Sequence, residues 1–231
     1  MAADARPRSR RDRPAKAPLS EEVIVDAALA ILRAEGLEAV TMRRVATALD
    51  TGPASLYVYI KGRDELRQAM YDRVLSTVTL EPPDADRWRE QTLALLERVL
   101  AAFESHPGIA AIGLANPPST RPALLVGENL LGVLLAGGIS RQDAALATDI
   151  LPMITTARAI ETDVWRSQEG GEGDQPDLEQ HLHDAYASLP AAEFPHFTDL
   201  AEELIARDTA ARFRFAIDTF LDGLAARAKC D

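Results

Sequence analysis

Hydroxyl, aromatic and basic side chains lie close together between residues 41 and 63. This stretch reads TMRRVATALDTGPASLYVYIKGR and brings Ser55, Tyr57, Tyr59 and Lys61 into one short run. Hydroxyl groups and cations bind phosphate oxygens, and short polar side chains at the start of a helix can reach the edges of bases. The spacing therefore predicts contacts to the backbone and the bases of double-stranded DNA.

The first of two short helices must position the start of this run. Thr41 is a typical N-cap residue, and Val45, Ala46 and Leu49 give the helix one apolar side. Residues 50–52, Asp-Thr-Gly, then interrupt the pattern and predict a tight turn.

The second helix must present the aromatic and hydroxyl groups. Pro53 suits a first helical turn, because its missing N–H would be unpaired there. We expect this helix to run from Pro53 to Tyr59 or Ile60, a length that is not stable alone and has to be held by packing, with Leu56 and Ile60 on one side. Two such helices joined by a tight turn predict a helix-turn-helix.

At these residues the chain resembles the TetR family of one-component transcriptional regulators. The resemblance covers roughly residues 20–75 and is carried by TMRRVA at the opening of the first helix, LYVYI at the close of the recognition helix, and KGRDEL leading into the next. Two positions depart from the family: Asp-Thr-Gly stands where Gly-Val-Ser/Thr is usual, and Tyr59 stands where His is commonest. The resemblance implies an all-helical, dimeric regulator.

The resemblance implies that four residues hold phosphates, with Lys61 acting by charge and Thr41, Tyr57 and Tyr59 by hydroxyl or backbone hydrogen bonds. The alternative for the two tyrosines is ordinary packing. Arg43 projects from the start of the first helix and is expected to read a base, since an arginine bidentate to guanine is the commonest specific contact.

The leading edge of the recognition helix consists of Thr51, Pro53, Ala54 and Ser55. Pro53 and Ala54 are suited to thymine methyl groups, while Ser55 can donate or accept a hydrogen bond. Arg44 is placed among the DNA-binding candidates, but for Arg44 and Arg63 phosphate contacts and surface ion pairs both stay open.

The charge distribution separates the two parts of the chain. The net charge of the 231 residues is −11, yet residues 1–75 carry 13 Lys and Arg against 11 Asp and Glu, and the excess of acid lies in the remainder. An acidic body is repelled by phosphate and should point away from DNA. Residues 1–18, rich in arginine and proline, predict a disordered basic arm that is either a solubilising tail or an arm along DNA.

Compartment and membrane association follow from what the sequence lacks. No run approaches the ~18 apolar residues of a membrane span, and no signal peptide is evident. The single cysteine, Cys230, excludes an intramolecular disulfide. We therefore expect a cytoplasmic protein that does not enter the membrane.

Helical periodicity continues through the rest of the chain, without a convincing alternating strand. It predicts an all-α fold of about nine or ten helices, divided at residues 81–83 into a helix-turn-helix domain (19–80) and a ligand-binding and dimerisation domain (84–231). The predicted spans, apart from the two helices already described, are 20–35, 63–78, 84–106, 109–114, 120–136, 140–168, 177–189 and 209–228. The span 120–136 is apolar almost all round, which predicts burial, and Pro152 is expected to kink the span 140–168.

The last helix is apolar on two faces. One stripe contains Phe213, Ile217, Phe220, Leu221 and Leu224, and the opposite face contains Ala211, Phe215, Thr219 and Ala226. A helix of this kind needs two burial partners. The second is expected to be the same face of another copy, through Ala211, Phe215 and Thr219, although another helix of the same chain is the alternative.

Polar residues within apolar stripes of the body mark a candidate ligand pocket. Buried carboxylates need partners, so each either pairs internally or waits for a ligand. The candidates are Trp88, Phe103, His106, Glu128, Asn129, Met153, Arg158, Glu161 and Trp165. Plain core packing is the alternative for each, but together they favour a mainly apolar small-molecule site.

The sequence contains little that would indicate a metal or cofactor site. His181 and His183 are two residues apart, poor spacing for shared ligation from a helix, so no metal is predicted. No nucleophile–base pair or phosphate-binding glycine loop is present, and the one small molecule expected is an effector of unknown identity.

These observations predict a homodimeric, ligand-responsive repressor that binds a pseudo-palindromic operator and is released by a small molecule. The alternatives are a non-specific architectural DNA-binding protein, and a helical small-molecule carrier or enzyme with an incidental helix-turn-helix.

Overall fold

The structure is a computed structural model that describes residues 18–115, 118–169, 178–205 and 208–228. Within these ranges it is all-helical, as predicted, and contains no strand. A single 3-10 turn spans Leu37–Ala39. The α-helices are α1 Glu21–Glu35, α2 Met42–Ala48, α3 Pro53–Leu56, α4 Arg63–Leu75, α5 Trp88–Glu104, α6 Ala110–Ala115, α7 Arg121–Ala136, α8 Arg141–Glu169, α9 Leu178–Ala187, α10 Pro195–Asp199, α11 Ala201–Ile205 and α12 Thr209–Ala228.

Helices α1 to α4 form the head of the molecule, and its first helix has the predicted limits. The Ser20 hydroxyl accepts a hydrogen bond from the Val23 N–H at 3.3 Å and so caps α1. Gly36 ends the helix with φ +84°, a conformation that glycine adopts without steric cost. The buried side of α1 includes Ile24, Leu29 and Leu32 and packs against α4.

Two helices of the head are shorter than predicted. Helix α3 ends at Leu56 rather than at Tyr59 or Ile60, and the chain continues as a turn in which the N–H groups of Tyr59 and Ile60 both donate to the Leu56 carbonyl. Helix α4 ends at Leu75 rather than at Val78, because the Ser76 and Thr77 hydroxyls turn back onto carbonyls of the preceding helical turn.

Helices α5 to α12 form the body, in which α5 packs against α7, α8 and α12. Its core is a cluster of fully buried aliphatic residues: Leu95, Leu130, Leu134, Leu151, Ile217 and Leu221. Helix α12 buries the predicted stripe around Phe213 and Ile217, which confirms the body as the first burial partner of this helix. Helix α8 continues through Pro152 as one element.

The prediction that α7 is buried all round is wrong. Leu130, Val133 and Leu134 face the core, but Leu124 and Leu135 are exposed. A sequence that is apolar around the whole helix cannot by itself say how many neighbours the fold supplies, and here α7 has partners on one side only.

The connection from α9 to α12 also differs from the prediction. The proline-rich stretch contains two short helices, α10 and α11, which pack on α9, and they raise the helix count above nine or ten. Parts of other predictions lie outside the described residues: the arm 1–17, the turn at 116–117, the loop at 170–177 and Cys230.

The apolar core does not stop at the predicted domain boundary. One cluster joins buried residues of the head, such as Leu66 and Met70, to Phe103, Ile109 and Ala159 of the body. At its centre the Tyr71 ring of α4 stacks on Phe103 with centroids 5.7 Å apart. Head and body are therefore packed together across α4, α5, α6 and α7.

Candidate nucleic-acid interface and effector cavity

The turn between α2 and α3 is fixed by backbone hydrogen bonds. The Thr51 N–H donates to the Ala46 carbonyl at 2.9 Å, and the Asp50 N–H donates to the Thr47 carbonyl at 3.1 Å. This pair of bonds is the Schellman motif, whose central residue is left-handed and usually glycine. Here that residue is Asp50, with φ +50°, while Gly52 has an ordinary φ of −80°. The unusual Asp-Thr-Gly turn thus keeps a standard helix ending.

The leading edge of α3 is exposed while its base is anchored. Leu56 and Ile60 are completely buried, whereas Pro53, Ala54 and Ser55 are all exposed. Since α3 has a single turn, these two aliphatic anchors hold it in place. The edge that was predicted to meet bases is therefore available to a partner.

The two tyrosines that follow α3 are also open to solvent. Tyr57 is 52 % exposed and Tyr59 is 42 % exposed. Neither belongs to the buried clusters of the head. This exposure favours the DNA-contacting interpretation over ordinary packing, because neither ring is part of the apolar core.

Basic residues around the helix-turn-helix divide into paired and unpaired groups. Arg44 binds Glu35 through two hydrogen bonds, Nη2 to Oε1 at 2.5 Å and Nε to Oε2 at 3.1 Å. Arg63 donates to the Glu38 carboxylate at 3.0 Å. Arg43 and Lys61 are exposed, and neither forms an ion pair with any residue that the structure describes.

The ion pairs leave an electrostatic signature on the carboxylates. Hydrogen bonding to Arg44, followed by its charge, lowers the pKa of Glu35, and the same effects of Arg63 lower the pKa of Glu38. For Arg44 and Arg63 the surface ion pair is thus the arrangement present in the free chain. Arg43 and Lys61 are the cations that remain open to an anionic partner.

Thr41 has a structural role as well as an exposed side. Its hydroxyl accepts a hydrogen bond from the Arg44 N–H at 3.1 Å and caps α2. A hydroxyl that accepts from the backbone keeps its own proton to donate. Thr41 can therefore cap the helix and donate to a phosphate oxygen at once.

The outward face of α12 is apolar and uncovered. Phe215 is 74 % exposed, and Ala211 and Thr219 are exposed beside it. On the neighbouring helix α8, Leu146 and Met153 are likewise exposed. No helix of the described chain covers Phe215, which removes the alternative that a helix of the described chain buries this face.

A cavity of about 220 Å³ lies in the body among α5, α8 and α12. Its walls combine apolar side chains with two carboxylates and one guanidinium. The lining residues are Glu97, Leu100, Ala101, Glu104, Arg158, Thr209, Ala210 and Phe213. We call this space the effector cavity.

Arg158 is the centre of a polar network at this cavity. Its Nη1 donates to the Thr162 hydroxyl at 2.6 Å and lies 3.5 Å from the Glu161 carboxylate. Arg158 and Arg212 both approach the Trp165 ring, each at 5.9 Å from its centroid. The Nε of Arg158 is buried without a hydrogen-bond partner among the described residues. The network thus leaves one donor at the cavity unsatisfied.

Three of the predicted ligand residues, Arg158, Glu161 and Trp165, are brought together by this network. Two more have other roles in the fold. Trp88 packs on Gly137, so closely that a Cβ there would overlap its ring, and Phe103 is buried in the core between head and body.

The other predicted ligand residues lie away from the cavity. The Asn129 amide donates to the Glu81 carbonyl at 2.7 Å, Glu128 is exposed on α7, and Met153 is 54 % exposed on α8. His106 lies in the turn after α5, where its Nε2 is 3.1 Å from Nη1 of Arg33 in the head.

Sequence reasoning did not identify Glu97 and Glu104, which line the cavity from α5. They are seven residues apart, with Leu100 and Ala101 between them, so a helical-wheel reading would have placed all four on one face. Thr209 and Phe213 were missed as cavity residues because only the fold brings the start of α12 beside α5.

A second groove, of about 520 Å³, lies between the head and α6. It is lined by Leu37, Asp64, Glu65, Arg67, Gln68, Ala111 and Ile112. Across the described part of the chain, no group of three or more His, Cys, Asp or Glu side chains is arranged to hold a metal ion. None of the described helices is long and apolar enough to cross a membrane.

Comparison with known proteins gives two family matches along the chain. Residues 24–70 match the family described as bacterial regulatory proteins, tetR family. Residues 81–228 match the family described as tetracyclin repressor-like, C-terminal domain.

Individual relatives agree with this assignment. The chain is 34 % identical to apo ActR of Streptomyces coelicolor, with a TM-score of 0.83 over 93 % of this chain and 99 % of that one. The structure of ActR in complex with actinorhodin is similar at the same identity and TM-score, covering 91 % of this chain and 97 % of that one. The transcriptional repressor DrrR1 of Streptomyces coeruleorubidus is 28 % identical over 92 % of this chain and 80 % of its own length. None of these relatives is named as an enzyme or an architectural protein.

Proposed function

The chain belongs to the TetR family of transcriptional regulators and is a ligand-responsive repressor, and we propose that it binds a pseudo-palindromic operator as a homodimer and is released by a small molecule. It acts by binding rather than by catalysis, and it works in the cytoplasm, where chromosomal DNA is reached directly. The observation that carries the proposal is the exposed edge of α3 on buried anchors, flanked by Arg43 and Lys61, two exposed cations that form no ion pair with the described residues.

DNA recognition divides between positioning and reading. Lys61, Thr41 and the two tyrosines hold phosphates, and their contacts set the register of the head on the duplex. Arg43 reads a guanine, and the leading edge of α3 meets bases in the major groove. Arg44 contributes mainly by fixing α2 to α1 through Glu35, and reaches phosphate only if that ion pair opens.

The dimer forms through the uncovered face of α12. Phe215, with Ala211 and Thr219 beside it, packs against the same residues of a second copy, and the exposed side of α8 extends the surface. A two-fold interface of this kind buries a face that one chain leaves open. It also joins two heads, so that two weak half-site contacts become one strong one.

The effector enters the cavity at Arg158. A largely apolar molecule with one hydrogen-bond acceptor would bury its apolar part against Leu100 and Phe213 and satisfy the free Nε of Arg158. ActR has been solved with actinorhodin and with (S)-DNPA, and we extend the proposal of an organic effector of this kind to the present chain.

Release follows from the size of the cavity. A volume of about 220 Å³ is below the ~300–1,000 Å³ typical of ligand pockets, so an effector held entirely between α5, α8 and α12 has to move these helices apart. A ligand that binds only the widened body shifts the population toward it. Because α4 is packed on α5 and α6, the widened body carries the head out of register with the DNA groove.

The test is a selection from random duplex DNA with the full chain, followed by titration of the selected site. A two-fold motif with half-sites about 10–10.5 base pairs apart, or a multiple, is expected. Binding without sequence preference but with a steep salt dependence would refute the operator. Actinorhodin serves as the effector probe: if it saturates the chain and operator affinity does not change, the release mechanism is wrong.

A further inference from the structure

The turn between α5 and α6, residues 105–109, is held by α8 from one side. The Gly108 N–H donates to Oδ2 of Asp163 at 2.6 Å, and Nη1 of Arg166 donates to the Glu104 carbonyl at 2.9 Å. Short hydrogen bonds to a carboxylate are among the stronger ones in proteins. We call this segment the 105–109 turn; its position is set by the C-terminal half of α8.

The same turn touches the head on its other side. Gly108 has φ +89°, and a Cβ there would lie 3.2 Å from the Cβ of Leu37 and 3.9 Å from Cδ1 of Leu32. Glycine is therefore required twice, by its backbone conformation and by the close approach of the head. A side chain at position 108 would therefore press on Leu37 of the segment after α1.

A polar contact between His106 and Arg33 also joins this turn to the head. Nε2 of His106 lies 3.1 Å from Nη1 of Arg33, on α1. A guanidinium only donates, so Nε2 accepts, and the ring proton lies on Nδ1, which is 3.0 Å from the Ala102 carbonyl. His106 is thereby fixed by the last turn of α5 and presents an acceptor to the head.

The Asp163 carboxylate is only half paired. Its Oδ1 is buried with no hydrogen-bond partner among the described residues, and burial raises the pKa of Asp163 above its ordinary value. A half-paired carboxylate in such a place costs folding free energy. A polar group retained at a cost in stability points to a role in function.

The effector cavity lies one helical turn away on the same helix. Arg158, in the cavity wall, donates to the Thr162 hydroxyl, which in turn lies 3.3 Å from Oε1 of Glu104, another wall residue. Thr162 is the neighbour of Asp163 in sequence. A movement of α8 relative to α5 at the cavity therefore acts directly on the 105–109 turn.

We propose that Asp163 is a positioning residue that holds the 105–109 turn through the Gly108 N–H, so that His106 engages Arg33 and the orientation of α1 follows the spacing of α8 and α5. Its regulatory consequence rests on the proposed effector cavity. The mechanical link itself is independent of any ligand.

Hydrogen exchange tests the link without DNA or effector. Asp163→Leu removes the acceptor at similar volume, and the exchange of α1 amides around residues 32–36 should become at least about fivefold faster than in the wild-type chain. Asp199→Leu, at an exposed site on α10, is the matched control and should leave α1 unchanged. Unaltered α1 exchange in a folded Asp163→Leu chain overturns the proposal.

A double-mutant cycle on the selected DNA site tests the functional link. Arg33→Met and Asp163→Leu should each weaken binding about fivefold, and the double variant should be no weaker than either alone, because both break one connection. Arg73→Met, which removes another exposed arginine of the head, is the control. Its fold loss of DNA affinity should multiply with the fold loss caused by Asp163→Leu. Multiplying effects of Arg33→Met and Asp163→Leu overturn the proposal.

The remaining outcomes are separated by a conservative variant. Asp163→Asn keeps an oxygen that can accept from Gly108, and near wild-type α1 exchange and DNA affinity are expected even if Asp163→Leu fails to fold. A loss as large as that of Arg33→Met would overturn the role of the hydrogen bond. If the wild-type chain selects no DNA site, the proposed function fails, while the exchange experiment still decides the link.

Discussion

The head and the body of this regulator differ in the surroundings of the basic side chains at their candidate sites. In the head, Arg43 and Lys61 are exposed and form no ion pair with the described residues, next to an α3 edge that nothing covers. In the body, Arg158 and Arg212 share Glu161 and the Trp165 ring and lie beside a cavity. DNA presents the same regular array of phosphates at every site. Exposed cations such as Arg43 and Lys61 can bind these phosphates without first breaking an ion pair. A small molecule must compete with contacts that already exist.

This difference decides how each region responds to substitution. Removal of an open charge in the head costs the contact to DNA and little else. Removal of Arg158 or Arg212 in the body disturbs the Glu161 and Trp165 contacts that both arginines share, so folding and binding change together. The head is therefore the region where single substitutions report function most directly.

The largest effect is expected from the body, at the uncovered face of α12. Phe215→Glu places a charge in the proposed two-fold contact, and the chain should sediment as a monomer with an operator affinity about 10²–10⁴-fold lower, since the two half-sites are no longer linked. Leu125→Glu, at an exposed apolar residue of α7, is the control and should stay dimeric. Dimers that persist in Phe215→Glu would move the interface to another surface.

The next effect distinguishes a base contact from a scaffold contact in the head. Arg43→Ala should lose about 1–3 kcal/mol of operator binding and relax preference at one base position per half-site. Competition binding against single-base variants of the operator measures this. Arg44 is bound by Glu35, so Arg44→Ala should not alter base preference. A change in base preference equal to that of Arg43→Ala would show that both arginines read bases.

A smaller and more uniform effect is expected at Lys61. Lys61→Ala should weaken all DNA sequences alike and reduce the slope of log affinity against log salt by about 1, because one phosphate contact is lost. Titrations at several salt concentrations measure the slope. A selective loss at one base pair, with the slope unchanged, would show that Lys61 reads sequence.

The smallest effect at neutral pH concerns Tyr71, at the seam of the two regions. Burial raises the pKa of Tyr71 to about 12, so the folded chain holds the phenolic proton more tightly than the unfolded chain, whose tyrosine titrates near 10. The stability that this contributes is complete below pH 10 and is lost as the pH rises toward 12. Tyr71→Phe should therefore flatten the fall in Tm between about pH 10 and 12, and an identical fall in both chains would exclude Tyr71 as its cause.

Local signals explain which parts of the fold were predictable. Ser20, Gly36 and Thr41 mark helix ends through their own hydrogen bonds or backbone conformations, and α1, α2 and α12 have the predicted limits. The length of α3 was not predictable in this way. Its second turn would depend on neighbours, and the chain instead turns at Tyr57 to bury Ile60.

The candidate sites show the same division. The candidate DNA-binding residues lie in one continuous stretch, so the sequence motif was enough to place them together. The cavity combines α5, α8 and α12, and its carboxylates Glu97 and Glu104 are ordinary surface residues by type. Of the predicted ligand residues, Arg158, Glu161 and Trp165 share one helical face and were brought together, while Met153 and Glu128 point to solvent.

The apolar cluster that joins Leu66 and Met70 to Phe103 and Ile109 limits how this protein can be re-engineered. A chimaera that transplants only residues 19–80 onto another sensor would expose the head side of that cluster and leave Tyr71 without the ring it stacks on. The transferable unit is therefore α1 to α4 together with the parts of α5, α6, α7 and α8 that complete this cluster. In a chimaera, the helices that determine operator specificity therefore have to be transferred together with the part of the body that packs on them.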